Sequence, residues 1–303
     1  QGPVVSVRNA HSLNLLLLSH NPQLYISDGV DAAEWLGGGL VSLQVLDLAG
    51  LRLPYGFLSK LPHLPGLVNL DASNTGVPGS LDANISAQLP ALSNILLQGN
   101  RLTGAVPQLP AGLQTLIAFD NDFTQLPPLQ QLHNLTFVVL DGNRRMNGKL
   151  PSDWYVFRTL KVFSVQHCSI QGSIPPGLLQ LPLTGKLSTI GLRDNLLRGS
   201  VSLRDASNAS LISALKGMDV GMNAIAGRIP AAMREYIAAA SELSILRLDQ
   251  NLLSCGLGGF DLLDVRAGVA RGGVSVLSAQ CLTPSTRWMQ LPQCTHVTRH
   301  HGS

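Results

Sequence analysis

The stretch LSNILLQGNRLTGAVP, Leu92 to Pro107, places Leu92, Ile95, Leu97 and Leu102 around Asn100 and closes with Gly104, Val106 and Pro107. The same frame returns from Leu160 to Pro175, with Cys168 in place of the asparagine, from Leu187 to Val201 and from Leu215 to Pro230. Shorter or degenerate copies start at Leu13, Leu43, Leu67, Leu113, Leu135 and Leu243, which makes ten repeats spaced 21 to 30 residues apart. A unit of this length cannot bury its own apolar face. It must stack on its neighbours, and the stack supplies the core.

The offsets have a local reading. Leu92-x-x-Ile95-x-Leu97 alternates apolar and variable positions, as a strand with one buried side does. Three residues on, the chain turns inward and its peptide groups lose their ladder partners. A side-chain amide carries both donors and an acceptor there, so it can satisfy groups whose burial would otherwise be costly. The slot holds Asn21, Leu51, Thr75, Asn100, Asn121, Asn143, Cys168, Asn195, Asn223 and Asn251. Thr75 and Cys168 are weaker hydrogen-bonding stand-ins, and Leu51 is none, so the second repeat is expected to turn differently. Gly and Pro then punctuate the return to the outer surface.

These residues resemble the leucine-rich repeat family, and the Leu102-x-Gly104-x-Val106-Pro107 extension resembles its plant-type subclass. Leu150-Pro151-Ser152-Asp153-Trp154 is also similar to a repeat of kinetoplastid surface antigens. The resemblance implies an α/β repeat fold: a right-handed solenoid, a horseshoe or superhelical arc, with a parallel β-sheet on its concave face. At about 4.8 Å per strand, ten repeats make a ladder on the order of 45 Å long. Plant-type members include receptor ectodomains, receptor-like proteins and polygalacturonase-inhibiting proteins. Their usual N-terminal cap has a Cys pair around a Trp, yet no Cys precedes Cys168 here. Residues 1–12 are therefore expected to cap the array with a strand, 13–254 to form it, and 255–297 to be a Cys-containing C-terminal cap. Residues 298–303 are set aside as a tag-like tail, and Pro230 to Leu243 reads as a short outer helix with Pro in its first turn.

Composition narrows the class. Of 303 residues 45% are hydrophobic and 13% charged, against roughly 25% charged in average domains, which excludes a charged disordered chain. A net charge of +3 supplies no phosphate-tracking stripe, so nucleic acid is not an expected partner. The densest apolar run, Leu15 to Leu18, is too short to span a bilayer. Cys168 reads as a buried reduced thiol. Cys255, Cys281 and Cys294 permit one disulfide; Cys255–Cys281 would tie cap to array and is preferred, while Cys281–Cys294 would close the cap alone. Sequons stand at Asn84, Asn134 and Asn208, none of them at the centre of the inner strand face. Together these point to a secreted or cell-surface protein.

No nucleophile elbow, zinc-protease helix, P-loop or dinucleotide fingerprint occurs, and no cofactor, metal or enzyme activity is expected. Asp47 with Asp71, and Asp120 with Asp141, fall on neighbouring strands and read as solvated carboxylates. Function is sought in the variable strand positions. Leu96, Ile117, Phe119, Phe137 and Val139 should project together from repeats four to six, with Gln98 and Asp141 beside them. Contiguous exposed apolar groups mark interaction sites. Further on, Arg193, Asp219, Arg247 and Asp249 surround Gly191, Gly217 and Gly221, as a shallow pocket for a peptide terminus or sugar or as a self-paired charge network. The expected function is extracellular recognition of a protein or peptide on the concave face. A structural coat protein and a secreted enzyme inhibitor are the alternatives.

Overall fold

The structure, a computed structural model, describes residues 2–180, 186–200, 215–228, 244–254 and 275–277. Two compact units divide it, Gln1–Ile170 and Gln171–Ser303. The expected outer helix at Pro230 to Leu243, the sequon at Asn208, Cys255, Cys281, Cys294 and residues 298–303 lie outside the described residues.

The first unit carries seven parallel inner strands: β1 Leu15–Leu17, β2 Val45–Asp47, β3 Asn69–Asp71, β4 Asn94–Leu96, β5 Thr115–Ile117, β6 Phe137–Val139 and β7 Val162–Ser164. The second carries four: β8 Thr189–Gly191, β9 Gly217–Asp219, β10 Ile245–Arg247 and β11 Ser275–Leu277. The ten strands expected from the leucine frame are all present. β11 is an addition, because it lies inside the segment expected to be a C-terminal cap and pairs in register with β10 through Leu246↔Val276. Its segment, GVSVLSAQ, lacks the leucine frame but keeps the alternation a strand needs.

The middle residue of β2 to β10 enters the core, while Leu16 in β1 is half-buried. Leu46, Leu70, Ile95, Leu116, Val138 and Phe163 are at most 1% exposed in the first unit, as are Ile190, Met218 and Leu246 in the second. A second parallel ladder forms on the other side of each unit. In the first it runs through Pro78–Gly79, Arg101–Ala105, Asp122–Gln125 and Asn147–Lys149. In the second, Leu196–Gly199, Ala224–Arg228 and Leu252–Ser254 pair in order. Each unit is thus a parallel β-solenoid; among the described residues the α-helices are α1 Ala32–Leu36, α2 Ile85–Gln88 and α3 Pro176–Gln180.

Asn100, Asn121, Asn143, Cys168, Asn223 and Asn251 in this slot each join their turn to the one before it. Asn143, fully buried, accepts from Phe123 N at 3.0 Å and donates to Ala118 O at 3.0 Å and Leu140 O at 2.7 Å. Asn121 accepts from Leu102 N and donates to Leu97 O, and Asn100 accepts from Thr75 and Val77 and donates to Ala72 O. In the second unit Asn223 and Asn251 repeat the pattern on Leu197 N and Ile225 N. Asn195 donates to Leu192 O. Cys168 keeps the donor half, its thiol reaching Leu140 O at 3.6 Å. Asn21 is the exposed member, in the first repeat.

The expectation for the second repeat needs amending. A residue with positive φ precedes the slot in every repeat: His20, Gly50, Asn74, Gly99, Asp120, Gly142, His167, Asp194, Met222 and Gln250. Gly50 at φ 76° keeps the second repeat in the common turn. What differs is the bond, since the backbone N–H of Leu51 reaches Leu48 O at 3.0 Å, the i−3 carbonyl that an Asn side chain takes elsewhere. At Gly99 and Gly142 there is a second reason for glycine. A Cβ there would collide with Asn74 Oδ1 and Asp120 Oδ1, which lean across from the preceding turn.

The cap on the first repeat works without cysteine. Gly2–Pro3 pairs in parallel with Leu24–Tyr25, and Trp35, 2% exposed, holds the segment down. Its indole N–H donates to Val5 O at 3.1 Å, while its carbonyl accepts from Val7 N and from Ser6 Oγ. Asp31 starts α1 by accepting from Glu34 N at 2.9 Å, and that bond, aided by Lys60 at 3.2 Å, lowers its pKa below the usual carboxylate value.

Replacing Asn143 by Leu leaves the buried Phe123 N–H without its partner and takes one donor from each of the Ala118 and Leu140 carbonyls, at a cost of about 1–3 kcal/mol. Chemical denaturation should show that loss. Replacing the exposed Asn21 by Leu in parallel should show much less, and equal effects would contradict the ladder argument.

Candidate ligand-recognition face

Residues flanking the buried middle of each inner strand point away from the core, because successive side chains in a strand alternate sides. In the first unit the register makes two rows. One runs Leu17, Asp47, Asp71, Leu96, Ile117, Val139, Ser164, and the other Leu15, Val45, Asn69, Asn94, Thr115, Phe137, Val162. Leu96, Ile117 and Val139 are therefore direct cross-strand neighbours. All three are partly exposed, as is Phe119 beyond the end of β5, and Phe137 is 38% exposed. The residues grouped by sequence alternation do share one side of the sheet.

Polar groups border this apolar row on both sides. Asp141 accepts from Ser164 Oγ at 2.7 Å and from Gln166 N and Nε2. On the other side, Asn94 Nδ2 donates to Asn69 Oδ1 at 2.7 Å. Gln98 follows β4, and its Oε1 is buried without a hydrogen-bond partner. Asp47 and Asp71, read from sequence as solvated charges, have a local task as well. Each accepts from the backbone N–H two residues on, Ala49 at 3.1 Å and Ser73 at 2.9 Å, and Asp47 also accepts from Ser19 Oγ at 2.6 Å. Asp219 does the same to Gly221 N at 3.1 Å. The Asp-x-small pattern at this strand position was the available signal.

In the second unit the charges on this face pair with one another. Arg193 makes a two-pronged bond to Asp249, Nη1 to Oδ1 and Nη2 to Oδ2, both 3.0 Å, and reaches Asp219 at 3.5 Å. Arg247 reaches Asp219 from the other side at 3.3 Å. This is a self-paired network. The Asp249 carboxylate raises the Arg193 pKa above its ordinary value, since removing the proton would break the pair. Glycine makes it possible: a Cβ on Gly221 would collide with Arg193 Nη1.

Other sequence-derived positions are less central. Asn84 and Asn134 are exposed, the first at the start of α2, the second shortly before β6. Cys168 is buried, its thiol bonded to Leu140 O. Among the described residues no group of three or more His, Cys, Asp or Glu could hold a metal ion, and no helix is long and apolar enough to cross a membrane.

No family model matches the chain. It is 33% identical over 144 residues to the receptor-like kinase TMK2 of Arabidopsis thaliana, covering 43% of this chain. It is 28% identical over 225 residues, 70% of this chain, to the Arabidopsis receptor-like protein 32. The chain spans only 16% and 22% of the lengths of these relatives. Among solved structures, the plant peptide hormone receptor RGFR1 in complex with RGF2 matches with a TM-score of 0.69 at 23% identity, over 84% of this chain and 39% of that one. The Arabidopsis receptor kinase HAESA, in complex with the peptide hormone IDA and the co-receptor SERK1, matches at 0.63 and 24%, over 82% and 39%. The repeats are leucine-rich repeats of the plant type. In this leucine-rich-repeat solenoid the variable strand positions are free to differ from relative to relative, because the frame alone carries the fold.

Arg193, Asp249 and Asp219 have side chains only 18%, 13% and 11% exposed, so removing one partner strands a charge in a dry setting. Asp249→Ala should destabilise the second unit by about 3 kcal/mol, the usual scale for a broken buried pair. Arg193→Met with Asp249→Met should cost less than the sum of the two single changes. Denaturation of the four proteins of the cycle measures this, and strict additivity would show that the pair is uncoupled.

Proposed function

We propose that the chain is the recognition module of an extracellular or cell-surface receptor-like protein and takes a protein or peptide on the open side of its inner sheet. The observation carrying this reading is the cross-strand row Leu96, Ile117 and Val139, with Phe119 and Phe137 beside it, partly exposed between polar borders. Apolar anchors ringed by polar groups are where binding energy concentrates. The named relatives support it: one is a receptor-like kinase, one a receptor-like protein, and the RGFR1 and HAESA structures are complexes with peptide hormones. A coat protein would be served by a uniform face, whereas this one changes from acidic to apolar to polar along successive strands. An inhibitor of a secreted enzyme would use the same face and is one form of the same reading.

Paired baits test it. The wild-type chain and Phe119→Asp are immobilised and exposed to the native extracellular fluid. A partner retained by the first and lost from the second is the expected result. Titrating that partner against Phe119→Ala should show a loss of about 2 kcal/mol with unchanged thermal unfolding. Equal binding to all three proteins would move the interface elsewhere.

The extracellular assignment has its own test. From a secretory host, intact mass should show a glycan on at least one of Asn84, Asn134 and Asn208, and one disulfide among Cys255, Cys281 and Cys294. An unmodified mass with four free thiols would overturn it.

A further inference from the structure

The open side of the first unit has a charge of the opposite sign to the chain. The segments that contain β1 to β6 and run on to the positive-φ residue are 14–20, 44–50, 68–74, 93–99, 114–120 and 136–142. They hold Asp47, Asp71, Asp120 and Asp141 and no Lys or Arg, although the whole chain carries +3. Asp47 and Asp71 are direct cross-strand neighbours. Like charges placed directly opposite each other on adjacent strands are destabilising. In the second unit the carboxylates are matched by Arg193 and Arg247; Asp47 and Asp71 are in no ion pair among the described residues. Their hydrogen bonds from Ala49 N, Ser73 N and Ser19 Oγ orient the carboxylates but do not neutralise them.

A second feature stands next to this pair. Gln98 Oε1, two residues after Leu96, is buried and has no donor, an acceptor left unsatisfied where the acidic pair gives way to the apolar row. The unmatched pair of carboxylates asks for a cation, and the amide oxygen for a hydrogen-bond donor. The apolar row that begins at Leu96 asks for something else. One extended segment meets both demands.

We infer that the occupant of this face is an extended peptide with a lysine or arginine over Asp47 and Asp71 and apolar side chains at the second and fourth positions from it. The inference rests on the recognition reading above and adds the chemistry of what is recognised. Spacing supports the pattern. Adjacent strands lie about 4.8 Å apart, so from the middle of the acidic pair Leu96 is about 7 Å away and the Ile117–Val139 neighbours about 14 Å. Same-side residues of an extended peptide laid across the strands repeat every ~6.7 Å, which brings the second over Leu96 and the fourth over Ile117 and Val139. The cation then lies over the carboxylate oxygens of the cross-strand neighbours Asp47 and Asp71.

The probe is a display library of random linear peptides, panned at low salt on the immobilised chain and, as control, on Phe119→Asp. The expected consensus is Lys/Arg-x-apolar-x-apolar, or its reverse. A synthetic peptide of that consensus should bind Asp47→Asn/Asp71→Asn about tenfold more weakly, the size of a lost charge-assisted bond. The asparagines keep an oxygen for Ala49 N and Ser73 N, and an unchanged melting curve verifies the fold. An apolar consensus with no cation, an acidic consensus, or full-strength binding to the double asparagine variant overturns the inference and leaves the recognition reading in place. No enrichment over the Phe119→Asp control overturns both.

Discussion

A side-chain amide caught between two turns of backbone is the constraint on which the solenoid depends. Where each repeat leaves its inner strand, the chain must cross the interior, and its peptide groups go with it. Asn143 meets that need in both directions at once, taking Phe123 N–H on its oxygen and giving its hydrogens to Ala118 and Leu140. The asymmetry of hydrogen-bond energetics makes this decisive: a made bond gains little, but a buried unmade one costs about 1–3 kcal/mol. Because the bonds run from one repeat to the one before, the ladder also ties the stack together and holds neighbouring inner strands in register.

That register leaves the outward rows free to carry chemistry. β2 to β10 contribute their middle residues to the core, and the flanking positions of a strand alternate to the other side regardless of type. The two units use this freedom differently. In the second, Arg193, Arg247, Asp219 and Asp249 neutralise one another, with Gly221 opening the space for the guanidinium. In the first, carboxylates at Asp47 and Asp71 face outward without cations, followed strand by strand by Leu96, Ile117 and Val139. An internally matched surface resists a partner, since binding must first separate its pairs. An unmatched one gains from it.

Much of the architecture was legible before any coordinates, and the reasons are local. Strand alternation needs only the identity of consecutive residues, so Leu96, Ile117 and Val139 could be grouped correctly from spacing. The buried amide slot was legible because few residue types offer donors and an acceptor together. Other features were not. The positive-φ residue before the slot is occupied by His, Gly, Asn, Asp, Met and Gln, so no single residue type marks it. The cysteine-free cap relies on Trp35 meeting Val4 to Val7, residues about thirty positions earlier whose carbonyls and amides carry no sequence signature. The strand at Ser275–Leu277 lacks the spaced-leucine frame of the other repeats, so only its pairing with β10 reveals it.

The amino-acid sequence by itself determined the repeat, its period, the inward face and the polar slot, since each follows from alternation and hydrogen-bonding capacity within a single turn. Tertiary structure decided what lies across from what. That Arg193 pairs with Asp249, 56 residues away, while Asp47 and Asp71 face each other without a cation, depends on strand register. Register is set by the stacking of whole repeats of unequal length. A charge is matched or left open by its neighbours on adjacent strands, which sequence spacing alone does not specify.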